Sequence, residues 1–176
     1  ALHGGEVINV IKRVNHRYQP DLMILGTREK HDKKNSYLGI KTTTVIENTH
    51  VPVLTIPRSF SYIEDELNVL YATDFYDSDN TSLERLIEVL RPFKTKIHCI
   101  HINTDDTPVN TQKIKELNSM LEENYSDKQI RCELIENSDL LKGLEEFIKQ
   151  KDIDVLSFSS PKRNIIYKIF NTNKLK

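Results

Sequence analysis

At 176 residues, 38% hydrophobic and 29% charged, the chain has enough apolar matter for one large or two small cores under a heavily solvated surface. A formal net charge of -1 leaves no chain-wide excess of cations to grip nucleic acid or an anionic membrane. No apolar run nears the roughly 20 residues of a spanning helix. The two cysteines, Cys99 and Cys132, have no disulfide framework around them. They suit small buried hydrophobes in a reducing cytoplasm rather than a disulfide.

Taken in order, Ala1-Leu2 reads as the tail of a strand and His3-Gly4-Gly5 as a turn. Val7, Val10, Ile11 and Val14 then recur at helical spacing across Glu6–Tyr18, and Pro20 stops that helix. Leu22 to Leu25 form a continuous apolar run, the pattern of a parallel strand buried on both faces. Thr27–Ser36 is too charged to bury, Tyr37–Asn48 is a plausible helix, and Val51-Pro52-Val53 opens a strand. A proline there favours a sheet edge or a strand's first residue. Arg58–Glu66 reads as a linker in which Phe60, Tyr62 and Ile63 could pack locally.

A second series follows. Leu67–Ala72 is a strand ending in Thr73-Asp74-Phe75. Leu83, Leu86, Ile87 and Leu90 mark a helix opened by Ser78 or by a Thr81…Glu84 capping box. Ile97–Ile102 is a strand, and Thr107-Pro108 supplies a cap and first residue for a helix carrying Ile114, Leu117 and Leu121. Ile130–Ile135 is a strand, Leu140–Ile148 a helix opened by Ser138 or Asn137, and Ile153–Phe158 a strand. Ser159–Arg163 is a polar loop, and Ile165–Lys176 has helical character.

One gapless shift sets Val7 on Leu140, Ile11 on Leu144, Val14 on Phe147, Asp21 on Asp154, Leu22 on Val155 and Tyr37 on Phe170. Identity is slight, yet helix and strand patterns stay in phase, which argues for a duplicated domain. On that reading residues 1–57 are the second half of a first repeat, 58–66 a linker, and 67–176 a second repeat. The first copy is expected to lack its opening strand–helix–strand–helix and the second its closing strand, as in a fragment or processed product.

The residues DLMILG, the spaced Gly39, and NTHVPVLTIP resemble the end of a universal stress protein domain, and LNVLYATDF resembles its first strand. The family's phosphate loop runs glycine, two residues, glycine, nine residues, glycine, then a hydroxyl residue. Gly26 and Gly39 match its first and third glycines; Glu29 and Ile40 stand at the other two positions. In the second repeat the same positions are Ser159, Lys162, Thr172 and Asn173.

The resemblance implies an α/β fold of the adenine-nucleotide α-hydrolase-like (Rossmann-like) type. Its sheet is parallel and five-stranded, ordered 3-2-1-4-5, with helices on both faces, here duplicated. It also implies a ligand crevice at the switch point, placing Asp74 beside the Ser159–Arg163 loop. There Asp74 would meet the ribose–adenine end of a nucleotide, with Ser159, Ser160, Lys162, Thr172 and Asn173 around the phosphates. In the first repeat Glu29 at the second glycine position works against phosphate, since like charges about 4 Å apart at a dielectric near 20 cost at most about 4 kcal/mol. The bland reading of Asp74 is a turn or capping residue.

Other constellations are thinner. His98 and His101 fall on opposite faces of a strand, so only Cys99 and His101 share one, too few for a closed zinc site. The basic loop of Arg28, Lys30, His31, Lys33 and Lys34 reads as solvated rather than as a nucleic-acid site, and His16, His31 and His50 as surface residues. No Gly-x-Ser-x-Gly elbow or Gly-x-Gly-x-x-Gly turn supports a hydrolase or a dinucleotide oxidoreductase. The expectation is a cytoplasmic stress-response protein that is not an enzyme, without cofactor, pairing with itself through Val53, Leu54, Thr55 and Ile56. The rival is a module that binds ATP with magnesium in the second-repeat pocket.

Overall fold

The computed structural model describes residues 4–27, 40–57, 60, 66–75, 79–104, 108–125 and 130–159. These fall into two compact units, one holding residues up to 60 and the other residues 66–159.

The first unit runs α1 (Gly4–Tyr18), β1 (Met23–Thr27), α2 (Ile40–Glu47) and β2 (Val53–Pro57). β1 and β2 pair in parallel from Met23↔Val53 to Thr27↔Pro57. Pro52 stands just before its strand, where it needs no ladder N–H, and its carbonyl accepts from Met23 N at 2.9 Å. Thr49 Oγ1 pins the approach to β2, accepting from Asn15 Nδ2 at 2.8 Å and from Val51 N at 3.1 Å. α2 buries Thr42 and Val45 and packs against α1.

β1 is not buried on both faces. Exposed and half-buried residues alternate along it, and Ile24 is 59% exposed. A two-stranded ladder cannot cover both sides of its own strands. The apolar stripe of α1 is likewise partly open at Val10 and Val14, and Phe60 is exposed rather than packed.

The second unit runs β3 (Leu67–Ala72), α3 (Asp79–Leu90), β4 (Thr95–Asn103), α4 (Pro108–Asn124), β5 (Cys132–Glu136), α5 (Leu140–Gln150) and β6 (Val155–Phe158). All pairs are parallel, in the order β5-β4-β3-β6. The expected single five-stranded sheet ordered 3-2-1-4-5 is therefore corrected to separate sheets of two and four strands. Within the larger sheet the spatial order follows that scheme over four strands.

Side-chain alternation puts helices on both faces of this sheet. Tyr71, Cys99 and Cys132 share a row and form a buried cluster with Leu83 and Ile87 of α3 and Leu117 and Leu121 of α4. On the opposite face His98 meets the Phe147 ring of α5 edge-on, with centroids 5.8 Å apart. α5 approaches β4 closely enough that a Cβ on Gly143 would lie 3.1 Å from Ile102 Cδ1. A glycine there is needed for distance.

Two expected caps differ. α5 is capped by Asp139, which accepts from Leu141 N and Lys142 N, and not by Ser138 or Asn137; Asn137 Oδ1 instead accepts from Asp139 N at 3.0 Å. Thr81 lies inside α3, so the Thr81…Glu84 box does not start that helix; Ser78 lies outside the described residues. α4 begins on Pro108 as expected, with Thr107 outside the described residues.

At the ends of α1 and α5 the chain turns through Gln19 (φ 43) and Asp152 (φ 48), the left-handed conformation of a helix C-terminal stop. The shift that sets Val7 on Leu140 also sets Gln19 on Asp152.

Candidate functional site

In parallel sheets the carboxyl ends of the strands face one rim, and ligands dock where strand order reverses. The chain moves outward from β3 to β4 to β5, then α5 carries it back to β6 on the far side of β3. The reversal lies between β3 and β6, which pair from Val69↔Val155 to Ala72↔Phe158. The residues just beyond both strands, Thr73-Asp74 and Ser159, therefore meet at one rim.

The rim is built upward from Thr73. Its N–H extends the ladder to Ile100 O at 2.9 Å, and its Oγ1 accepts from Phe75 N at 3.0 Å, closing a tight turn over Asp74. The turn puts Phe75 at φ 58, an uncommon conformation for a bulky side chain. Two neighbours hold it there. His101 Nδ1 donates to Thr73 O at 2.8 Å, since a carbonyl can only accept, and the His101 ring stacks on Phe75 with centroids 4.3 Å apart. Lys113 Nζ lies 6.0 Å from the Phe75 ring centroid, a cation–π contact.

Next along the rim, buried Asn103 donates to the Glu136 carboxylate at 3.1 Å. Among the described residues of this unit, Thr73, His101 and Asn103 are the buried polar side chains. They lie together because the register sets β3 against β4 so that Ala72 meets Ile100. A lone His and a lone Asn in a strand carry no sign of this; only the pairing register brings them to Thr73.

Of the expected site residues, Asp74 and Ser159 come to adjacent strand ends, and both are half-buried. Gly26 does not sit in a loop. It is the fourth residue of β1, paired with Ile56, with nothing within 4 Å of where a Cβ would stand and no left-handed φ. It thus meets neither requirement that makes a phosphate loop need glycine, namely close backbone approach or positive φ. Gly39, Ser160, Lys162, Thr172 and Asn173 lie outside the described residues.

His98 and His101 lie on opposite faces, as the alternation requires. Burial lowers the His98 pKa from its ordinary 6.5, with help from the positive charges of Lys96 and Lys151, against an opposing effect of Glu133. Among the described residues no group of three or more His, Cys, Asp or Glu could hold a metal ion. Among them, too, no helix is long and apolar enough to cross a membrane.

A parallel sheet wrapped by helices with a switch-point rim defines the doubly wound α/β class. Within that class the chain resembles universal stress proteins. One such protein from Archaeoglobus fulgidus superposes with a TM-score of 0.58 at 18% identity, over 87% of this chain and 54% of that one. A protein from Pseudomonas aeruginosa assigned to the same family superposes with a TM-score of 0.60 at 16% identity, over 99% of this chain and 63% of that one. The chain spans little more than half the length of these two structures. No protein-family model matches the sequence. No curated protein matches it either. The likeness is one of fold.

Proposed function

We propose that this chain is a stress-response protein of the universal stress type that acts without catalysis, by self-association, and whose nucleotide site has degenerated. The observation that carries this reading is the edge of β2. Met23 N bonds Pro52 O, so in a parallel ladder the backbone groups of Leu54 and Ile56 serve β1. Those of Val53 and Thr55 then point to the other side of β2, where no described strand pairs. Open edges of this kind recruit another strand.

Sedimentation equilibrium tests it. The wild-type chain is expected to dimerise across the micromolar range. Thr55→Pro, which removes an outward N–H and leaves the β1 ladder intact, is expected to be monomeric. A wild-type monomer at all concentrations refutes the association.

The rival, ATP with magnesium held at the rim, has one observation in its favour, the meeting of Asp74 and Ser159. Thermal denaturation with Mg-ATP separates the two readings. A bound ligand at 100 times its Kd stabilises by about 2.7 kcal/mol. A shift of that size that Asp74→Ala abolishes establishes the rival; no shift leaves the degenerate-site reading standing.

A further inference from the structure

The chain's two cysteines sit opposite each other. Cys99 of β4 and Cys132 of β5 are direct register partners in the parallel ladder. Both are thiols, 0% and 2% exposed, with their side chains in the same buried cluster. They lie far apart in the chain, and only the pairing of β4 with β5 brings them together.

We propose that Cys99 and Cys132 are a built-in redox pair that closes into a reversible cross-strand disulfide when hydrogen peroxide reaches the β5 edge. Neighbouring strands lie about 4.8 Å apart. That spacing is within the Cα separation of about 4.4–6.8 Å that disulfides span, but it exceeds their usual Cβ separation of about 3.5–4.5 Å. The bridge forms with a small local shift and carries strain, and strained disulfides are the readily reduced, regulatory kind.

Access comes from the position of β5. It is the outer strand of the four; β4 pairs with it on one side, and among the described residues the Asn118 side chain of α4 bonds its other side. Asn118 of α4 donates through Nδ2 to Cys132 O at 3.0 Å and accepts through Oδ1 from Cys132 N at 2.7 Å. Loosening that clamp together with α4 exposes Cys132, while the ladder to β4 keeps it opposite Cys99.

The chemistry balances with the peroxide as oxidant. The Cys132 thiolate attacks one peroxide oxygen; the O–O bond breaks and the leaving oxygen departs as water after taking up a proton. The resulting sulfenic acid is attacked by the Cys99 sulfur, the S–S bond forms, and the hydroxyl leaves as a second water. Two thiols lose two electrons and two protons, and the peroxide is reduced to two waters.

The test uses the full chain in native buffer with hydrogen peroxide, followed by denaturation, alkylation and mass spectrometry. The expected product has lost two hydrogens, yields a linked Cys99–Cys132 peptide on digestion, runs as one chain on a non-reducing gel, and reverts with dithiothreitol. Cys99→Ala is expected to gain oxygen at Cys132 instead. Asn118→Ala, in which the edge is released, is expected to form the disulfide several-fold faster. Oxygen adducts on the wild type without a linked peptide overturn the proposal. So do two thiols that persist unless the chain is unfolded, or a rate unmoved by Asn118→Ala.

Discussion

Removing the Asn118 clamp is the sharpest test of how the larger sheet is finished at its edge. Cys132 is 2% exposed, and its N–H and C=O both depend on one side-chain amide. Each net hydrogen bond contributes about 1 kcal/mol, and each buried group left without a partner adds about 1–3 kcal/mol if water cannot reach it. Asn118→Ala also gains about 0.6 kcal/mol of helix propensity in α4. The ledger closes at a loss of about 1.4 kcal/mol where water enters, and more where it does not. With a urea slope of about 1–3 kcal/mol/M, that is a midpoint lowered by about 0.5–1.4 M at unchanged slope. Urea denaturation followed by far-UV circular dichroism reads it. Asn118→Asp keeps the acceptor for Cys132 N but sets a carboxylate against Cys132 O, so it should not rescue. A midpoint for Asn118→Ala within about 0.2 M of wild type refutes the clamp, because propensity alone predicts a small rise.

Three more outcomes follow from the geometry. Asp139→Ala removes the acceptor for two α5 amides and is expected to cost about 1 kcal/mol, while Ser138→Ala is near neutral; denaturation midpoints of the two variants decide it. His101→Phe keeps a ring against Phe75 but loses the bond to Thr73 O, for an expected loss of about 1 kcal/mol in the same assay. His98 has a folded pKa below its ordinary 6.5, so the unfolded chain takes up its proton first. Its favourable contribution is present above pH 6.5 and is lost as pH falls below that value through the folded pKa. Stability measured from pH 7.5 to 5 should drop less steeply in His98→Phe than in wild type.

The elements were legible wherever apolar residues set the period. α1, α3, α4 and α5 appear in the spacing of Val10, Leu83, Leu117 and Leu144, and the strands in the short runs between them. What escaped was set by pairing across the chain. Asn137, Ser138 and Asp139 are all good caps, and only the backbone decides that Asp139 serves. Ile24 reads as a strand residue buried on both faces because the run is continuous, yet a two-stranded ladder leaves it open. The rim of Thr73, His101 and Asn103, the Asn118 clamp and the facing cysteines each need the register of β4 against a neighbour, which no local window of sequence carries.

The junction of β3 with β6 has a consequence for how the protein is made. Asn68 N donates to Asp154 Oδ2 across a sequence separation of 86, and Asp154 N returns a bond to Asn68 O. On the ribosome β3, β4 and β5 can zip together early, but the second side of β3 waits until Asp154 and β6 emerge. Synthesis at about 5–20 residues per second makes that wait several seconds, long against the microseconds to seconds in which small domains fold. Throughout it the backbone of Val69 to Ala72 is a bare apolar edge. Nascent chains stalled before β6 has left the ribosome should therefore be the species that chaperones capture and that aggregate when chaperones are scarce, whereas chains stalled once Phe158 is clear of it should escape.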